Sequence, residues 1–333
     1  MVERYDLYVD HVAESGELPA GAIRSQGLSL AIGFFDGVHL GHQEVIRQAV
    51  ALAKQHGIVP AVMTFDPHPR VVLGQGSQYT TVLTPVEDKL ELFAELGVEA
   101  AYVIHFDRPF SEVTAERFVK SLIVPIGVRT AVVGFDFKFG YRGEGNAEAL
   151  SEFGEGGLQV HVVSPVYNDG VKVSSTRVRE KLAAGDSRAA MLLLGRPYEI
   201  QGVVVHGDAR GRLLGFPTAN VKPEQPYVVP MNGVYAIEVR VLPIGGSPGA
   251  EERYHGVLNV GVRPTFDAPG GQLKLEAHLF EFSGDLYGRE IALIFHSFIR
   301  QERKFESIDQ LVAQIKNDAE QAKALLSTLP SAL

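Results

Sequence analysis

Short, unbroken apolar runs alternate with helical periodicity through the first half of the chain. The runs at 28–32, 60–65, 101–105, 130–133 and 159–163 read as strands, and their continuity is that of strands buried on both faces. The stretches 45–56, 87–96, 114–121 and 176–184 read as helices; in the first, Val45, Ile46, Ala49, Val50 and Ala53 line one face. Thr84-Pro85-Val86-Glu87 marks a helix start, with a capping residue, then proline, then an acidic side chain. Strands alternating with helices predict a parallel sheet covered on both faces, with ligands at the carboxyl ends of its strands.

Beyond about Gly195 the period changes. Short β-rich runs at 199–205, 234–241, 254–260, 274–280 and 290–298 are punctuated by glycine and proline. Five or six such strands joined by short turns predict a small closed β-barrel. Residues 243–252, rich in Gly, Pro and Ser, read as a hairpin loop, and 307–326 as a final amphipathic helix with Leu311, Ile315, Ala319 and Ala322 on one face. The junction falls at 185–196, around a short helix at 187–194, giving domains 1–186 and 187–333. A chain of 333 residues is long enough for two cores.

Candidate chemistry sits at the predicted strand ends. Between the first strand and the first helix lies Gly33-Phe34-Phe35-Asp36-Gly37-Val38-His39-Leu40-Gly41-His42. A strand-to-helix junction offers unpaired backbone N–H groups and the positive end of the helix dipole, both favourable to phosphate. Gly41 lets a ligand approach the backbone closely. The histidines either cap a turn or hydrogen-bond a triphosphate and stabilise the charge that develops during attack on it. The strand, the glycines and the helix together favour the second. In Thr64-Phe65-Asp66-Pro67-His68-Pro69 two prolines fix a rigid loop that exposes Asp66 and His68. In Gly134-Phe135-Asp136-Phe137-Lys138-Phe139-Gly140, Asp136 suits a metal or an adenosine hydroxyl, while the phenylalanines suit a core. Lys172-Val173-Ser174-Ser175-Thr176-Arg177-Val178-Arg179 is either a helix cap or a cradle for a leaving pyrophosphate.

In the second half, glycines at 207, 211 and 215 within Val205–Asn220 permit unusual backbone angles and open N–H groups to a phosphate. Thr218 and Asn220, two apart on an extended chain, face one way and offer hard oxygens to Mg²⁺; the plain alternative is a glycine-rich hairpin with an Asn turn. Glu276 alternates with apolar residues on a predicted strand, where an acidic side chain is usually solvated.

Phe35-Asp36-Gly37-Val38-His39-Leu40-Gly41-His42-Gln43 resembles the first signature of the bacterial bifunctional riboflavin kinase/FMN adenylyltransferases, or FAD synthetases. Gly215-Phe216-Pro217-Thr218-Ala219-Asn220 and its preceding loop resemble the nucleotide signature of riboflavin kinases. The resemblance runs from about Leu28 to Ala322. It implies a Rossmann-like nucleotidyltransferase domain (α/β, parallel sheet) followed by a riboflavin kinase barrel with a C-terminal helix. The first domain then makes FAD from FMN and ATP with release of pyrophosphate, and the second makes FMN from riboflavin and MgATP. By the same resemblance His39, His42 and Glu276 are catalytic, Glu276 as the base for the riboflavin 5′-hydroxyl. ATP in the first domain is met by Gly33, Phe35, Asp36, Gly41, Asp136, Lys172, Ser175, Thr176 and Arg179, and FMN by Asp66, Pro67 and His68. ATP in the kinase is met by Gly207, Gly211, Arg212, Gly215, Pro217, Thr218 and Asn220, with Mg²⁺ on Thr218 and Asn220. The flavin there is met by Asn259, Arg263 and Arg300, the last in a closing segment with Glu302, where a surface-charge reading also stands. Retention of only one activity, a flavin-binding regulator without turnover, and a transferase acting on another alcohol or phosphate are the rival readings.

Composition excludes more than it selects. Hydrophobic content of 45% and charged content of 21% are ordinary for a globular protein. No apolar run approaches a membrane span, and the N-terminus lacks the pattern of a secretion signal. With no cysteine there is no disulfide and no thiolate metal site; together these point to the cytoplasm. A net charge of −9 disfavours a general nucleic-acid binder. Small-molecule partners (riboflavin, FMN and ATP) are expected, with homo-oligomers left open.

Overall fold

A computed structural model describes residues 2–12, 17–74, 76, 79–207, 215–243, 252–263 and 272–328, apart from the side chains of Arg263 and Gln272. The chain forms two compact units, Met1–Ser175 and Thr176–Leu333.

In the first unit, strands β1 (Glu3–Leu7), β2 (Leu28–Ile32), β3 (Val59–Asp66), β4 (Ala100–His105), β5 (Val128–Gly134) and β6 (Gln159–Val163) form one sheet in the order β1-β4-β3-β2-β5-β6. Every pairing is parallel. All five residues of β2 are buried because its two faces feed two cores. Leu28, Leu30 and Ile32 pack with Tyr102, Phe118 and Leu122, while Ala31 packs with Ile46, Ala49 and Phe93. Helix α1 (Leu40–His56) carries the five apolar residues picked out in sequence, and all are buried. It stops at Gly57, whose φ of 64° is the left-handed cap that glycine adopts without cost. Strand β1 was not legible as a strand; its ERYDL run is half polar and pairs at the sheet edge.

The remaining helices are α2 (Pro69–Val72), α3 (Val86–Glu95), α4 (Ala115–Phe118), α5 (Ala147–Phe153), α6 (Ser175–Ala183), α7 (Ser187–Leu194) and α8 (Ile308–Leu326). A short hairpin joins β7 (Tyr167–Asn168) to β8 (Val171–Lys172). Two expectations are corrected. The cap of α3 is Pro85 rather than Thr84, and it makes no side-chain hydrogen bond because proline has no polar side-chain atom. The helix expected at 114–121 begins as α4, with Thr114 as its cap, but widens into a π-helical segment at Val119–Ile123.

The second unit is a closed antiparallel barrel of β9 (Tyr198–Val205), β10 (Ala219–Lys222), β11 (Gly233–Val241), β12 (Glu252–Arg263), β13 (Gln272–Leu279) and β14 (Glu290–Arg300). Along β13, Leu275, Ala277 and Leu279 point into the core and the alternating residues face outward. Ala322 and Leu326 of α8 pack on Val234, Ala236 and Val257. No helix among the described residues is long and apolar enough to cross a membrane.

Candidate active sites

From β2 the sheet order runs one way through β3 and β4 and the other way through β5 and β6. Ligands of open α/β sheets bind where the order reverses, beyond the carboxyl ends of the strands. The loop Gly33–His39 leaves β2 at that point, and Asp136 follows β5.

This loop is held in a backbone shape that its residues disfavour. Phe35, Gly37 and Val38 have φ of 55°, 85° and 41°. A left-handed angle is a true outlier for a β-branched valine, and such strain persists only where the surroundings enforce it. The enforcing contacts are side chains that bind the loop's carbonyls. The Phe34 carbonyl accepts from Thr64 Oγ1 at 2.9 Å and from Lys89 Nζ at 2.8 Å. Ser175 Oγ donates to the Asp36 carbonyl at 2.9 Å, and Gln43 Nε2 to the Val38 carbonyl at 2.9 Å. The buried Asp36 carboxylate accepts the N–H groups of Leu83 and Thr84 at 2.7 and 3.3 Å. Asp36 and Ser175 therefore act on the loop itself. Gly33 is required by the same geometry, since a Cβ there would lie 2.9 Å from the Phe35 ring.

His39 and His42 end up stacked, ring centroids 3.5 Å apart and planes 18° apart. His39 is the N-cap of α1, its Nδ1 accepting the His42 N–H at 3.2 Å. The capping reading and the phosphate reading are thus compatible, because the cap uses one ring nitrogen and puts the proton of the neutral ring on the other. The space left by Gly41 goes to the His39 ring, which a Cβ would approach to 3.2 Å. His42 Nδ1 is buried without a hydrogen-bond partner. Burial first, then the charges of His39 and Lys89, hold His42 well below the ordinary histidine pKa.

Of the further expectations, His68 meets this loop. His68 caps α2 and its ring lies 4.1 Å from that of Phe34, while Asp66 and Pro67 are exposed beside it. Lys172 and Asp136 form an exposed ion pair at 3.2 Å, with Lys172 Nζ 4.1 Å from the Phe135 ring centroid. Thr176 and Arg179 lie on α6, which opens the second unit.

In the barrel the site is made by register. Asn220 on β10 pairs with Glu276 on β13, and Glu276 pairs with Asn259 on β12. Directly opposed residues share a face, so the three side chains form one row across three strands. Gly207 backs this row: a Cβ there would lie 2.1 Å from Asn220 Nδ2. The segment before β10 is tied to the same strand by His278, whose Nδ1 lies 2.8 Å from the Pro217 carbonyl oxygen and whose ring meets Phe216 edge-on. Two cavities of about 420 and 350 Å³ flank the row, a size suited to small ligands. Gly207 and Asn220 line the first; Thr218, Asn259, Glu276 and Arg300 line the second. Lys274 lines both and pairs with Glu276 at 2.9 Å. Arg300 binds the buried Asp318 of α8 through Nε and Nη2 at 3.0 and 2.7 Å, and Asn259 donates to Glu302 at 3.2 Å. The positions Gly211 and Arg212, and the side chain of Arg263, lie outside the described residues; Gly215 is described and has φ of 82°.

Sequence reasoning missed Lys89, Thr64 and Lys274, and gave Phe34 no role. Lys89 had a signal, because it falls on the apolar side of α3, one turn before the buried Phe93.

A Rossmann-like sheet with a histidine pair at its switch point, followed by a barrel with a Thr/Asn/Glu face, defines a two-domain nucleotide-dependent transferase. The FAD synthetase family model matches residues 22–177, and the riboflavin kinase model residues 194–326. The bifunctional riboflavin kinase/FMN adenylyltransferase of Listeria monocytogenes is 40% identical over 300 residues, covering 90% of this chain and 93% of the relative. That of Escherichia coli is 40% identical over 295 residues, covering 88% and 91%. A crystal structure described as a macrolide-efflux protein from Streptococcus pneumoniae superposes with a TM-score of 0.83 at 31% identity, covering 96% of this chain and 99% of that one. The chain belongs to the bifunctional riboflavin kinase/FMN adenylyltransferase family.

Proposed function

We propose that residues 187–333 phosphorylate riboflavin to FMN with ATP, and that residues 1–186 adenylylate FMN to FAD with release of pyrophosphate. The observation that carries this is the pairing of two distinct polar constructions in one chain: the stacked histidines on a strained loop, and the Asn220–Glu276–Asn259 row.

In the barrel, Glu276 takes the proton of the riboflavin 5′-hydroxyl as that oxygen bonds to the γ-phosphorus; the bridging oxygen bond breaks and ADP leaves. Among the described residues no group of three or more His, Cys, Asp or Glu side chains is arranged to hold a metal. Thr218 and Asn220, which line the two cavities on either side of the row, offer neutral hard oxygens that would hold an Mg²⁺ arriving with the triphosphate, as that ion commonly does. Bound there, it would neutralise phosphate charge. Gly207 and Gly215 keep the phosphate-side backbone open, and Arg300 braces α8 against the flavin-side cavity.

In the sheet unit the FMN phosphate attacks the α-phosphorus of ATP, which needs no base, so the protein's task is positioning and charge stabilisation. His39 and His42 serve the developing charge, with the exposed Lys172–Asp136 pair on the ATP side and Asp66, Pro67 and His68 on the flavin side. A cysteine-free composition supports a cytoplasmic setting. Incubating the full chain with riboflavin and MgATP and separating the flavins chromatographically should give FMN, then FAD. Riboflavin returned unchanged, with supplied FMN also unchanged, overturns the reading.

A further inference from the structure

Among the described residues of the first unit Lys89 is the one buried ammonium, 1% exposed, and nothing in the mechanism above uses it. Its hydrogen-bond partners are uncharged oxygens, the Phe34 carbonyl at 2.8 Å and the Thr64 hydroxyl at 3.5 Å, and it lies 4.0 Å from the centroid of the Phe34 ring. A charge buried among uncharged partners costs stability, and an apolar side chain of similar volume is often neutral or better. Its position says what offsets that cost. Lys89 holds the first carbonyl of the strained turn whose other end is the His39 cap.

We propose that Lys89 is the positioning residue of the adenylyl-transfer site, pinning the histidine turn through the Phe34 carbonyl and providing a fixed positive charge beneath the triphosphate. This rests on the reading of the histidine loop as the ATP site. Burial lowers the Lys89 pKa to about 8, against the opposing charges of Asp36, from the loop, and Asp66, from the end of β3. His42 of α1 is the other titratable group that feels it. Lys89 is thus protonated below that pH, where its charge favours bound polyanion, and neutral above it. Since kcat/KM reports ionisations of the free enzyme, kcat/KM for FAD formation should fall as pH rises through about 8.

The test uses the full chain carrying Lys89→Met or Lys89→Gln, assayed from pH 6.5 to 9.5 for FAD formation from FMN and MgATP and for FMN formation from riboflavin, with Tm measured for each. Displacing a positioned turn by about 1 Å costs on the order of 100-fold in rate, so Lys89→Met should lose about that in FAD formation. FMN formation should stay within about twofold, and Tm should not fall. Lys89→Gln keeps a donor for the Phe34 carbonyl and should recover part of kcat, but the alkaline limb should be missing in both variants. FAD formation near the wild-type value with the limb intact overturns the proposal. So does a loss that affects both activities in step with Tm, or failure of both variants to fold, since each makes Lys89 a stability element. His39→Ala, run in parallel, separates the two levels: if it leaves FAD formation intact, the loop is not the site at all.

Discussion

In the sheet unit the reactive groups ride on a loop between β2 and α1; three side chains from distant segments, Thr64, Lys89 and Ser175, hold that loop's carbonyls, and the backbone N–H groups of Leu83 and Thr84 hold its carboxylate. In the barrel the corresponding groups stand on neighbouring strands, where the hydrogen-bonded ladder aligns them and the Glu276–Lys274 and Asn259–Glu302 contacts lie alongside. The loop can take the angles at Phe35 and Val38 that stack two imidazoles at a helix end, which no regular strand or helix would allow. Its dependence on outlying side chains is the cost. The ladder is robust but offers only side chains two apart on one face. The two halves should therefore fail in different ways when cut.

The largest effects should come from the reactive groups and should not cross between units. Glu276→Gln keeps shape and removes the base, and should lower FMN formation by roughly 10²–10⁴-fold while FAD formation from supplied FMN continues. His39→Ala should lower FAD formation by about 10²–10³-fold and leave FMN formation alone. Separate assays of the two steps decide it. If either variant impairs both, the two constructions are not independent sites.

The same contrast explains what could be read from the chain. Strands β2 and β6 were legible to the residue because parallel-sheet strands are compact and bounded by breakers. The histidine loop was legible because its chemistry is local. The row Asn220–Glu276–Asn259 was legible only as separate residues, since its alignment depends on pairing between strands far apart in sequence. Strand β10 was itself missed, being four residues long. Arg300 was expected near the ligands; it lines the cavity, but its partner Asp318 lies on a helix whose buried acid no local pattern reveals. Lys89 had only a weak local signal, its place on the apolar side of α3. A lysine on a helix is usually solvated, and the tertiary fold shows this one to be buried.

A smaller effect should mark the brace between the barrel and α8. Asp318 is buried and accepts from Arg300 and from Gln314, at 2.7 and 2.6 Å. Removing one member of a buried pair leaves an uncompensated charge, worth about 3–5 kcal/mol when burial is complete. Because the Arg300 side chain is 20% exposed, Asp318→Ala should cost nearer about 2–3 kcal/mol by urea unfolding. FMN formation should weaken and FAD formation should not. An unchanged midpoint would mean that α8 is held by its apolar face alone.

The smallest effect separates hydroxyl from charge in the loop's support. Thr64 and Lys89 bind the same carbonyl, so Thr64→Val removes one of two donors and leaves the Phe34 oxygen satisfied. The net loss should be about 1 kcal/mol in stability, that of one ordinary hydrogen bond. If the turn is fixed chiefly by the ammonium, FAD formation should fall by no more than about fivefold, the rate equivalent of that energy, and its pH dependence should be unchanged. A loss as deep as that of Lys89→Met would mean that the hydroxyl and the ammonium hold the turn jointly, neither donor sufficing alone, and the turn would then not be fixed chiefly by the charge.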